Sequence, residues 1–121
     1  MNQVFLLGRT TKEPELQYTP SGKAVTNFTL AVNRNMKKDE TDFFHIVIWG
    51  KTAEYVANYL GKGKKVLIQG RIENRSYESE NGDKKYVTEI IGESVEIVEW
   101  KENEEEITEE ENNGKKKKRK S

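Results

Sequence analysis

Phe43 and Trp49 stand six residues apart in the run Phe43-Phe44-His45-Ile46-Val47-Ile48-Trp49. Side chains alternate across a strand, so Phe43, His45, Val47 and Trp49 share one face and Phe44, Ile46 and Ile48 the other. Both faces are apolar, yet a sheet needs only one such face to build a core. Further along, Arg71, Arg75 and Tyr77 fall together on the polar face of a second strand. Flat rings offer a stacking surface to any base, while Lys and Arg hold phosphates. Arg34, Met36, Lys37 and Lys38 belong to a polar segment that could fold over such a ligand. The chemistry implied is non-covalent capture of an unpaired nucleic-acid strand. Each set also has a structural reading. Phe43 and Trp49 could be core in a barrel buried on both sides, Tyr77 a cross-strand packing partner, and the two arginines bridges to Glu73 and Glu78.

No catalytic constellation stands beside these groups. His45 is the only histidine and cysteine is absent, which removes His-based and thiolate metal sites and any disulfide framework. Gly50-Lys51-Thr52 looks like the end of a phosphate-binding loop, but that motif needs glycine where this chain has His45. Gly61-Lys62-Gly63 lacks the third glycine of a dinucleotide fingerprint. The three aspartates, at 39, 42 and 83, are not arranged for acid–base work, and the glutamate runs of the tail read as solvated charge. A non-enzymatic protein without cofactor or metal is expected.

The chain divides in composition. Residues 1–100 carry 39 of the 40 hydrophobic residues and all eleven aromatics, leaving only Ile107 beyond them. Residues 1–100 therefore form the expected folded domain, large enough for one core. In residues 101–121 an acidic block, Glu102 to Glu111, meets the basic run Lys115 to Lys120. With Ile107 as its one apolar residue, such a segment cannot offset its ordering entropy, so disorder is expected. Net charge is zero, with 14 cationic and 14 anionic residues in the body and 7 of each in the tail. Many nucleic-acid binders are basic, so affinity here must come from charge placement. Arg34-Lys37-Lys38, Lys62-Lys64-Lys65 and Arg71-Arg75 are the clusters. Neither a signal peptide nor a membrane-length apolar run is present, and a soluble cytoplasmic protein is the default.

Three strands, a short helix and then a hairpin of two strands are expected to position these residues. Residues 3–9 and 15–19 read as extended, the latter before the turn Pro20-Ser21-Gly22. Over 24–34, Phe28, Leu30 and Val32 alternate with Asn27, Thr29, Ala31 and Asn33. Residues 35–42 read as a flexible loop, and the aromatic strand follows. The spacing of Tyr55, Val56, Tyr59 and Leu60 predicts a helix over 52–60, with Thr52 as N-cap and Gly61 at C′. A long strand spans Lys65 to Tyr77, Asn81-Gly82 marks a hairpin, a return strand spans Lys84 to Ile91, and Ser94 to Val98 forms a last piece. Antiparallel strands with one intervening helix suit a small closed barrel, with an open sheet as the alternative.

At this point the residues resemble the bacterial-type single-stranded DNA-binding proteins. The segments are Asn2-Gln3-Val4 to Leu7-Gly8-Arg9, Thr11 to Leu16, Tyr18-Thr19, Gly22-Lys23-Ala24-Val25, Phe28 to Val32, Trp49 to Glu54, Tyr59 to Gly63, Gly70-Arg71-Ile72 and Tyr86 to Ile90. They run in collinear order over about residues 1–98. The resemblance implies a five-stranded OB-fold barrel, usually a homotetramer, that wraps single-stranded DNA in replication, recombination and repair. It implies stacking at Phe43, Trp49 and Tyr77, and phosphate contacts from Lys51, Lys62, Arg71 and Arg75. Met36 falls where the family commonly has an aromatic. Asn2, Val4 and Leu6 lie on the strand that resembles the family's dimer-forming edge. The family usually ends in an acidic tip closed by a short hydrophobic motif that recruits replication and repair proteins. Here the sequence closes on a basic run, so recruitment in that manner is not expected. The basic run either adds phosphate contacts or neutralises its own acidic block. An OB-fold adaptor that binds protein, and a module for RNA or oligosaccharide, are the rival readings.

Overall fold

The computed structural model describes residues 1–35 and 37–102. Met36 and the tail from Asn103, with its expected disorder, lie outside the described residues. Six strands and one helix follow in the order β1 (Val4–Thr10), β2 (Glu15–Tyr18), β3 (Ala24–Arg34), β4 (Lys37–Trp49), α1 (Gly50–Tyr59), β5 (Lys65–Glu78) and β6 (Lys84–Ile97). The ladder runs β1-β5-β6-β4-β3-β2, and a further β1–β3 pairing joins its ends through Arg9↔Ala31 and Thr10↔Leu30. Strands β1, β5, β6, β4 and β3 thus close a five-stranded barrel, with β2 appended to β3. This is the OB-fold that the resemblance implies, and closure removes most of the exposed sheet edge.

Alternation fills the barrel. Phe28, Leu30, Ile46, Ile48, Val66, Ile68, Ile90 and Ile97 point inward and are buried. Ala53, Val56 and Leu60 cover one end from α1 and its C-cap. Each large aliphatic or aromatic side chain so buried contributes roughly 1.5–3 kcal/mol. Gly70 sits where β5 bends against β6, and a Cβ there would strike the Ile91 carbonyl oxygen.

Several elements differ from the sequence expectation. Residues 37–42 are not loop: they extend β4 and pair with β3 from Val32↔Asp42 to Arg34↔Lys37. This ribbon projects past the core, so it needs no apolar alternation. Instead Thr41 donates to Asn33 Oδ1 at 2.9 Å, and Arg34 grips Asp42 through two hydrogen bonds. The two pieces expected after Asn81-Gly82 are one strand, β6. A bulge between Gln69 and Gly70 shifts the register, from Gln69↔Ser94 to Gly70↔Gly92, and leaves Glu93 between the two pairs. The helix starts two residues early, at Gly50, with Trp49 at N-cap and no side-chain cap, so Thr52 lies inside its first turn. Gly61 is not a left-handed cap, because Leu60 ends the helix in an extended conformation. Asn81-Gly82 does mark the hairpin. Its loop is Ser79 to Asp83, closed by Gly82 N–H to Ser79 O and Ser79 N–H to Asp83 O, with Gly82 at φ +87°.

Candidate nucleic-acid interface

Register places the candidate residues on one outward face. Phe43 pairs with Ala31, His45 with Thr29 and Trp49 with Val25 across β3–β4. On the other side of β4, Val47 lies beside Ile91 in a parallel ladder. Ile91 in turn pairs with Arg71, Glu89 with Glu73, Val87 with Arg75 and Lys85 with Tyr77. Opposed residues point to the same side. One surface therefore carries Phe43, His45, Val47 and Trp49, then Lys85, Val87, Glu89 and Ile91, then Arg71, Glu73, Arg75 and Tyr77.

The reading of the aromatics as core turns on their exposure. Phe43 is 65% exposed, Trp49 42% and Tyr77 51%. None of the three is sealed inside. Val47 and Ile91 share this outward face yet are buried, and neither belongs to the central core cluster. They form an apolar floor between the exposed rings. Phe43 also borders a cavity of about 440 Å³ shared with Leu7, Arg9, Ala31, Asn33 and Lys65.

The cations differ in their partners. Arg71 donates from Nε to Glu73 at 2.8 Å and from Nη1 to Glu93 at 2.6 Å. Arg75 donates to Glu89 at 3.1 Å, and Arg34 grips Asp42 at 3.0 and 3.1 Å. These hydrogen bonds to carboxylates raise the pKa of all three guanidinium groups, and the Arg34 bond lowers that of Asp42. The expected bridge from the arginine pair to Glu73 is present at Arg71. Arg75, however, takes Glu89 rather than Glu78. Among the described residues Glu89 is the one buried acid on this face, 7% exposed, with His45 Nε2 3.7 Å from its carboxylate. Lys51, two residues after Trp49, is exposed on the first turn of α1 and lines a cavity of about 340 Å³ with Thr52, Tyr55, Glu93 and Ser94.

Other expected residues are placed elsewhere. Lys62 is exposed on the connection from α1 to β5, which is tied to the end of β1 by Gly63 N–H to Thr10 O. Arg34 stands at the far end of the β3–β4 ribbon. Asn2 bonds Ile72 in both directions, at 2.8 and 3.0 Å, and so staples the N-terminus to β5. Val4 and Leu6 pack against the core, whereas the outward side chains of β1 are Phe5 and Leu7, 64% and 51% exposed.

Sequence reasoning missed two cations. Lys85 lies opposite Tyr77 because the hairpin loop is the five residues Ser79 to Asp83; counting outward from a two-residue Asn81-Gly82 turn pairs Tyr77 with Tyr86 instead. Lys23 puts its Nζ 5.5 Å from the centroid of the Trp49 ring. The sequence offers no local signal for that contact, because it depends on the register between β3 and β4.

The sequence profile described as the single-strand binding protein family matches residues 1–98, which is the whole barrel. The chain belongs to this family. It is 54% identical over 104 residues to "Single-stranded DNA-binding protein 3" of Clostridium acetobutylicum, covering 83% of this chain and 72% of that one. A "Single-stranded DNA-binding protein" of Clostridium tetani is 53% identical over 104 residues, with the same shares covered. A Bacillus cereus protein of that name is 52% identical over 103 residues, covering 82% of this chain and 61% of the other. Within the single-strand binding family, then, this chain carries Phe43, Trp49 and Tyr77 as exposed rings on one sheet face.

Proposed function

We propose that the chain binds single-stranded DNA without sequence preference, in the general service of replication, recombination and repair. Three exposed rings over an apolar floor, on a face that also bears cations, carry this reading. Bases stack on Phe43, Trp49 and Tyr77, while Lys51, Arg71 and Arg75 hold phosphates. Arg34 and Lys62, set further out, extend the backbone path. The work is binding rather than catalysis. Stacking contributes roughly 1–3 kcal/mol per base and is indifferent to base identity.

The assembly we propose is a homotetramer. Support comes from β1, which pairs with β3 only at Arg9 and Thr10, so Val4 to Gly8 keep one ladder neighbour, β5. The backbone from Asn2 to Leu6 is thus placed to pair across a subunit boundary, with Phe5 and Leu7 supplying apolar contact.

Anisotropy of labelled oligo-dT, a DNA duplex and oligo-rU, each titrated with the protein, tests the function. Tight binding of oligo-dT, weakening with salt as counterions are released, is expected, with much weaker binding of the duplex. Equal affinity for duplex would remove base stacking from the account. Stronger binding of oligo-rU would transfer the function to RNA.

A further inference from the structure

We propose that Lys23 builds a phosphodiester subsite beside Trp49, holding the backbone next to the base stacked on that ring. The proposal deepens the single-stranded DNA reading and rests on it.

The β2–β3 turn fixes Lys23 before any ligand arrives. Gly22 N–H donates to Thr19 O at 2.8 Å, and Thr19 N–H donates to the Lys23 carbonyl at 2.9 Å. The Lys23 N–H itself donates to Thr19 Oγ1 at 3.1 Å, and that hydroxyl also meets Ser21 Oγ at 3.0 Å. Gly22 has φ +88°, a backbone conformation that other residues adopt only with strain. Both the amide and the carbonyl of Lys23 are therefore held, and its stem starts from a rigid point. Since Val25 pairs with Trp49, Lys23 lies two residues back on the same face. Its ammonium then sits over the ring, within the range of a cation–π contact.

Two consequences follow from this geometry. The lysine sits over one face of the indole, and the stacked base is assigned to the other. The charge is also unspent. Among the described residues Lys23 forms no ion pair, whereas Arg34, Arg71 and Arg75 each hold a carboxylate. A phosphate meeting Lys23 displaces no acid and releases a full counterion. Lys51, two residues beyond Trp49 on the first turn of α1, is likewise exposed and forms no ion pair among the described residues. Lys51 would then take a neighbouring phosphate of the same strand.

The salt dependence of oligo-dT binding separates a phosphate contact from a packing role. Each phosphate neutralised on a single strand contributes about 0.7 to the log–log slope. Lys23→Gln is expected to flatten the slope by that amount, which makes the affinity loss between about 50 and 200 mM salt about 2.6 times smaller. Lys23→Arg is expected to restore it. Thermal melting of each variant checks the fold, because a lysine that merely packs on Trp49 would change the melting temperature and leave the slope alone. An unchanged slope in Lys23→Gln, with oligo-dT still bound, overturns the subsite and leaves the functional reading intact. Wild-type protein that fails to bind oligo-dT overturns both.

Discussion

Arg71 and Lys51 are both proposed to meet phosphate, but they start from different states. Arg71 is held by Glu73 and Glu93, while Lys51 forms no ion pair among the described residues. Exposed ion pairs contribute only about 0–1 kcal/mol, so a phosphate can displace a carboxylate at small cost. Glu93→Gln removes one competitor, and oligo-dT affinity at low salt is expected to rise by up to about fivefold. Lys51→Gln is expected to lower affinity and to flatten the salt slope by about 0.7. Anisotropy titrations over a salt series read both, and an affinity loss in Glu93→Gln would contradict this account of the arginines. The rings themselves were legible as a set, since parity alone places Phe43 and Trp49 together. Their exposure was not, because it depends on which face of β4 the barrel closes around. The carboxylate partners were legible only in part. Arg71 and Glu73 are neighbours on one strand, but Glu89 and Glu93 come from β6, through a bulge that spacing does not reveal.

Local signals identified most elements, and failed where long-range pairing decides. The strand over 24–34, the hairpin at Asn81-Gly82 and the helix are set by alternation, by a glycine with positive φ and by an apolar stripe. The ribbon at 37–42 has no core to face, so its polar residues carry no strand signal. Sequence reasoning also gave no role to the segment that follows β6. Val98 and Glu99 N–H both donate to Lys65 O at 3.0 Å, and Lys101 N–H donates to Tyr59 O at 2.8 Å. Arg9 clasps Glu99 at 2.6 and 3.2 Å, and Trp100 packs edge-on against Tyr55 and Tyr59. The Arg9 hydrogen bond holds the Glu99 carboxyl below its ordinary range. A depressed carboxylate pKa stabilises the folded form above the unfolded group's pKa, near 4.3, and that contribution is lost as pH falls through the folded value. Acidification through that window is expected to loosen the 98–102 strap and shift Trp100 emission, with Glu99→Gln showing the shift already at neutral pH. Emission that stays constant in both would separate Trp100 from the Arg9–Glu99 pair.

For the whole molecule, neutrality is the informative property. Residues 1–100 carry equal numbers of cations and anions, so no bulk field draws nucleic acid to the barrel. Acids pair with the arginines, Lys23 and Lys51 form no ion pair among the described residues, and the rings supply attraction that salt does not screen. Specificity for an unpaired strand then rests on π-faces that a duplex keeps stacked inside itself. The two tryptophans allow this to be read directly. Trp49 lies on the proposed binding face, and Trp100 lies against α1 with Tyr55 and Tyr59. In a Trp100→Phe background, oligo-dT is expected to quench the remaining emission, which comes from Trp49, in step with binding, and duplex DNA is expected to leave it almost unchanged. Binding of oligo-dT that leaves Trp49 emission unaltered would contradict the central claim that bases stack on this face.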